Sequence, residues 1–238
     1  LDSVINEGFC MALAEAMQLK PAKSKIHNVL DRQFLLVERY DRLIDAQGNR
    51  QRLHQEDFCQ ALGLPPHLQY ESDGGPGVRD LAQILRQSDE AARDIETLLL
   101  AQILFWLLAA TDGHAKNFSV FIEPEGRFRL TPLYDILSLY PAFGGQGLHP
   151  RDAKLAMGLS ATRGKEYAIE QIFPRHFYQT AKAVGFATSQ MEQILGEFAD
   201  QLEPVITRVR AQLPPDFPAP VADAILDGLV ARARRLAT

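Results

Sequence analysis

Only two cysteines, Cys10 and Cys59, occur in the 238 residues. Neither has the paired spacing that a zinc site or a disulfide framework requires, and both read as reduced core residues in apolar, helix-like contexts. Long hydrophobic runs are scarce too. The apolar stretch at 98–110 contains Gln102 and is too short to span a bilayer, so no membrane partner is expected. No basic leader followed by an apolar segment opens the chain, which leaves the cytoplasm as the expected compartment. A formal net charge of −5 removes the overall basic footprint of direct nucleic-acid binding. A glycine-rich tract, YESDGGPG at 70–77, carries Glu71 and Asp73, which repel phosphate, and no Lys-Ser/Thr follows it. It reads as a structured turn near a substrate, not as a phosphate loop. What is present is an apolar content of 46%, enough for a sizeable core in one domain or two.

Residues 98–135 carry the chemistry. An apolar run of helical length delivers a polar loop, Thr111-Asp112-Gly113-His114-Ala115-Lys116-Asn117. Two strand-like segments joined by a turn at EPEGR follow, and the second closes on Tyr134-Asp135. Asp112 and Asn117 have the spacing that the protein-kinase catalytic loop places between the Asp accepting the substrate hydroxyl proton and the Asn holding magnesium. Asp135 falls where that layout puts its second magnesium ligand. Phosphoryl transfer requires a carboxylate beside the attacking hydroxyl and hard oxygen ligands that hold Mg²⁺ against the phosphates. The expected cofactors are therefore ATP and Mg²⁺, with Asp112 as catalytic base and Asn117 and Asp135 as metal ligands. A structural alternative is that Asp112 only ends a helix, with Gly113 in a left-handed turn. His114 is open to a phosphate contact or a structural place, and Lys116 to a solvated one.

Along the rest of the chain, residues 2–19 read as a helix followed by Pro21. Glu7 on it is a candidate for the kinase glutamate that pairs with the phosphate-holding lysine, and equally for an ordinary first-turn acid. Strands are predicted at 24–30 and 32–39 with a turn at Asp31-Arg32, and helices at 55–62, 79–88 and 91–110. A boundary is expected after Asp41, dividing a small-lobe portion (1–41) from a helical large lobe (42–238). His149, Arg151, Lys154 and Arg163 either face a protein substrate or are solvated. From Phe173 onward the chain reads as helical: 174–184, a helix opened by a capping box at Ser189–Glu192, and 221–236.

The run TDGHAKNFSVFI followed by RLTPLYDI resembles the HipA family of bacterial serine/threonine kinases, the toxin half of a toxin–antitoxin pair. LLVERYDR at 35–42, HQEDFCQALGLP at 54–65, YESDGGPG at 70–77 and KLAMGL at 154–159 agree with it, so the resemblance covers essentially the whole chain. It implies an α+β, protein-kinase-like fold: a mostly helical large lobe with a short catalytic β-hairpin, and a partial small lobe. It implies that the backbone at Glu38 and Tyr40 bonds adenine, that Asp41 and Gln55 lie on the ribose side, and that His114 and Tyr134 neighbour the phosphates. The implied partners are an aminoacyl-tRNA synthetase as substrate and a HipB-like helix-turn-helix antitoxin, with DNA reached only through the antitoxin.

The resemblance departs at the front. HipA relatives carry a phosphate-covering loop and a strand lysine upstream of the segment matching residue 1. Lys20, Lys23 and Lys25 follow the first helix, on the wrong side for that role. The chain is expected to be the end of a small lobe plus a large lobe, an opening Leu agrees, and little kinase activity is expected unless the remainder is supplied. Two other classes stay open: a non-catalytic binding module that keeps the fold, and a small-molecule kinase. The second shares the Asp-to-Asn spacing, but YESDGGPG and KLAMGL argue against it.

Overall fold

Helix α1 (Ser3–Ala16) begins where the Asp2 carboxylate accepts the Ile5 N–H, and it buries Ile5, Phe9 and Leu13. The structure, a computed structural model, describes residues 2–144, 147–214 and 216–237. Asn6 is buried on the same helix. Its Nδ2 donates to the Ser138 carbonyl at 2.7 Å, while its Oδ1 accepts the Ser138 N–H at 2.8 Å and the Cys10 thiol at 3.3 Å. One amide thus ties α1 to the segment that follows Asp135. Strands β1 (Ser24–Val29) and β2 (Arg32–Val37) form an antiparallel hairpin against α1. Its two-residue turn is Leu30-Asp31, with Leu30 at φ 54°, one residue earlier than the expected Asp31-Arg32. A second, exposed hairpin, β3 (Arg42–Ile44) with β4 (Arg50–Arg52), follows it.

The expected helix at 55–62 forms only over its second half. Residues His54–Asp57 form β5, paired with β6 (Ser119–Ile122) so that Gln55 lies opposite Phe121, and only Phe58–Ala61 is helical, as α2. The local residue preference was helical, but the backbone finds its partner far along the chain, and the tertiary pairing wins. Strand β7 (Phe128–Leu130) completes the three-stranded sheet β5-β6-β7, so the predicted hairpin exists with a third strand added.

Helices α3 (Val78–Leu85) and α4 (Ala91–Leu108) follow the expected spans closely. From Ala101 to Leu108 every α4 residue is buried, as its all-round apolar sequence requires. Asp94, on the first turn of α4, is buried and accepts the Leu130 N–H at 3.0 Å and the Ser88 hydroxyl at 2.7 Å. It pins the sheet to the helix, and burial raises its carboxyl pKa. KLAMGL lies in β8 (Lys154–Ser160), which pairs with β9 (Lys165–Ala168) across the Arg163-Gly164 turn.

Three helices close the fold: α5 (Pro174–Ala183), α6 (Thr188–Gln212) and α7 (Ala219–Ala233). The expected capping box does not form. Helix α6 starts at Thr188 after Ala187 with no side-chain cap, which puts Ser189 inside the first turn. The buried side chains of α1 through α7 form one continuous core. Tyr140 locks it from the side: its hydroxyl lies 3.0 Å from the carbonyls of both Leu107 and Gly228 and accepts Arg232 Nε at 2.9 Å. Among the described residues, no helix is long and apolar enough to cross a membrane.

Candidate active site

Helix α4 ends inside the core. Ala109, at φ 48°, takes the left-handed step that turns the chain out, and not Gly113. Gly113 is needed for space: a side chain there would run into the Phe105 ring. The loop then coils through a single 3₁₀ turn, with His114 N–H on the Asp112 carbonyl at 2.8 Å and Asn117 N–H on the His114 carbonyl at 2.9 Å. This turn sets Asp112 and Asn117 on the same loop. Asn117 is buried, and its Nδ2 donates to Asp135 Oδ2 at 2.7 Å and to the Asp135 carbonyl at 3.3 Å. The β6-β7 hairpin brings the two together across the intervening chain. Asp135 itself is exposed, at φ 58°, a conformation that Asp and Asn adopt more readily than most residues.

Asp112 points out, with its side chain 65% exposed. Tyr70 donates its hydroxyl to Asp112 Oδ1 at 2.6 Å, and His114 Nε2 is 3.9 Å from the same oxygen. The Tyr70 phenol pKa is raised by that bond and by burial. His114 is buried, packs edge-on against the Tyr70 ring, and its Nδ1 has no partner among the described residues. Glu7 is also close: burial, and next the charge of Asp135, push its carboxyl pKa up. Lys116 is not a freely solvated charge, because its Nζ pairs with Asp57 at 3.1 Å.

Of the residues expected to hold a nucleotide, Tyr40 and Tyr134 meet directly. Tyr40 stacks on Tyr134 at 6.3 Å and meets Phe121 edge-on at 5.9 Å, which joins the segment after β2 to the sheet. Tyr134 places its hydroxyl 2.8 Å from the Lys116 carbonyl and 2.6 Å from Ser119 Oγ. Glu38 N–H bonds the Lys23 carbonyl, whereas the Glu38 carbonyl and the Tyr40 N–H have no backbone partner among the described residues. Gln55 Oε1 is buried and has no hydrogen-bond partner among the described residues. Asp41 faces inward to arginines: Arg39 binds both its oxygens, at 2.8 and 2.6 Å, and Arg42 joins on Oδ2.

Arg39 above all holds the Asp41 carboxyl down at about 2, with burial opposing and Arg42 assisting. An unfolded aspartate titrates near ~3.9, so this pairing stabilises the fold fully above about pH 4 and is lost as pH falls toward 2. Thermal melts across that window should show a steeper acid loss in the wild type than in Asp41→Asn. Equal slopes would contradict the assignment.

Sequence reasoning missed the Tyr70–Asp112 bond and the Lys116–Asp57 pair. Tyr70 heads the tract already singled out at 70–77, but nothing in its spacing shows which loop it meets.

A kinase-like α+β fold with the catalytic-loop sequence pattern defines the class of this protein. The model of the HipA-like C-terminal domain family matches residues 1–206, and the chain belongs to that family. A Sinorhizobium fredii protein carrying the kinase name Y4mE is 37% identical over 207 residues, covering 86% of this chain and 46% of its own. The serine/threonine-protein kinase toxin HipA of Shewanella oneidensis is 30% identical over 230 residues, covering 89% and 49%. The chain thus spans about half the length of these relatives. A solved complex of Shewanella oneidensis HipA, HipB and operator DNA superposes with a TM-score of 0.84 at 25% identity, over 98% of this chain and 55% of that one. The Helicobacter pylori proinflammatory kinase CtkA shares the fold, with a TM-score of 0.68 at 10% identity over 99% and 84%.

Proposed function

We propose that this chain supplies the catalytic lobe of an ATP- and Mg²⁺-dependent serine/threonine protein kinase of the HipA toxin type. The observation that carries the reading is the Asn117–Asp135 contact on the loop that presents Asp112. The donor set fits magnesium. The hydrogen bond fixes Asn117 Nδ2 on one carboxylate oxygen and leaves Asn117 Oδ1 and Asp135 Oδ1 as hard oxygen ligands. Mg²⁺ typically takes one or two protein oxygens and completes its shell with phosphate and water. Bound there, the ion would neutralise charge on the phosphates.

The chain's own groups do the rest. Asp112 accepts the proton of the substrate hydroxyl, and His114, with its unpartnered Nδ1, stands beside the phosphates with Tyr134. The Glu38 carbonyl and Tyr40 N–H, neither with a backbone partner among the described residues, suit the donor and acceptor edge of adenine. Gln55 Oε1 suits a ribose hydroxyl, and Asp41 acts on that side by fixing Arg39 and Arg42. Glu7, facing Asp135, takes the place of the small-lobe glutamate. By relationship to the HipA–HipB–operator complex, the partner is a HipB-like helix-turn-helix antitoxin, with DNA bound through it. The substrate class is an aminoacyl-tRNA synthetase, and the compartment is the cytoplasm.

Transfer from radiolabelled ATP by the full-length gene product tests this. Asp112→Ala should reduce labelling by about 10²–10⁴-fold, the usual worth of a general base. Equal labelling in both proteins would remove the catalytic assignment.

A further inference from the structure

Asp112 stands on an exposed carboxylate stem, and a side chain free to sample rotamers is a poor base, because reacting groups must be held in register. Among the described residues its carboxylate accepts one hydrogen bond, from the Tyr70 hydroxyl at 2.6 Å. Tyr70 is in turn fixed. Its ring packs edge-on against buried His114, with centroids 5.0 Å apart. The next residue, Glu71, has a side chain only 6% exposed, accepts the Gly158 N–H from β8 at 2.7 Å and pairs with Lys165 on β9. The turn closes tightly over this anchor, since a side chain at Gly77 would occupy the position of the Glu71 carboxylate. A cleft of about 730 Å³ is lined by Tyr70 and Glu71, is walled by Leu139, Leu155 and Glu166, and reaches Thr111, the residue before Asp112.

We infer that Tyr70 is a positioning residue that holds Asp112 Oδ1, so that Oδ2 is presented to an acceptor hydroxyl arriving through this cleft, and that Glu71 makes the hold rigid. The inference rests on the kinase reading. It adds to it that the base is oriented by the same turn that forms the cleft wall.

Two measurements on the full-length protein test it. Tyr70→Phe should lower kcat for protein phosphorylation roughly 10- to 10²-fold, the scale of a misplaced reacting group, with KM for ATP unchanged. Glu71→Gln should move kcat the same way and less. The second readout needs no catalysis: in a tyrosine titration followed by NMR, with the Tyr70 signal assigned from Tyr70→Phe, Asp112→Asn should lower the Tyr70 midpoint. An unshifted midpoint shows that the contact is absent in solution and overturns the inference. So does an unchanged or raised kcat in Tyr70→Phe, the raised value meaning that the phenol blocks the acceptor. A fall in kcat matched by a rise in KM for ATP means general disruption and also overturns it. A wild type that transfers no phosphate removes the kinase reading, and this role with it, before any Tyr70 variant is measured.

Discussion

Asp135→Asn is expected to lower ATP-dependent phosphoryl transfer by on the order of 10²–10³-fold while leaving the fold intact. The substitution isolates the charge. Asparagine tolerates the left-handed backbone at φ 58° about as well as aspartate, and its amide oxygen can still accept the Asn117 Nδ2 that bonds Asp135 now. What disappears is the negative oxygen proposed to face Mg²⁺. Alanine would be a less clean probe, because it adds about 1–2 kcal/mol of backbone cost at a left-handed position. Initial rates over a range of Mg²⁺ concentrations, with a melting curve for each protein, separate the two effects. A variant with wild-type rate and wild-type magnesium dependence would show that Asp135 is no metal ligand.

Trp106→Ala should cost about 3–5 kcal/mol of stability, the range for removing a large buried aromatic side chain. Trp106 is fully buried on α4, donates Nε1 to the Ile169 carbonyl at 3.0 Å, and meets the Phe177 ring at 5.5 Å. Arg232 lies over its indole at 5.6 Å. The substitution therefore loses packing against α5, a hydrogen bond to the chain after β9 and a contact with α7 together. For a chain of this size the expected fall in melting temperature is roughly 10 °C. Circular dichroism is the right probe, since Trp106 is the only tryptophan and fluorescence vanishes with it. A fall of under about 1 kcal/mol would mean that the core refills the space.

The proximity of the candidate residues was legible where they lie close in sequence. Asp112 and Asn117 share one loop, and Asp135 follows a hairpin whose strands are adjacent in the chain, so spacing carried most of the geometry. Long-range pairing was not legible. Gln55 to Asp57 has helix-forming neighbours, and only the arrival of Ser119–Ile122 makes it a strand. The β8–β9 ribbon escaped notice because KLAMGL does not alternate cleanly, and β8 is buried on both faces from Leu155 through Leu159 except at Ala156. Tyr70 reaches Asp112 through space, which no local pattern encodes. The capping signature at Ser189 failed for the opposite reason: the pattern was present, and the helix began one residue before it.

The two thiols have a practical consequence. Cys10 and Cys59 are both shut inside the molecule, and burial, as the largest influence, pushes the Cys10 thiol up to about 12 and raises Cys59 as well. The reactive form of cysteine is the thiolate. An alkylating reagent added to the native protein therefore meets neither sulfur until a segment opens. Cys10 then reports the release of α1 from the chain behind Asp135, and Cys59 the release of α2, so the molecule carries two built-in clocks for local unfolding of separate segments.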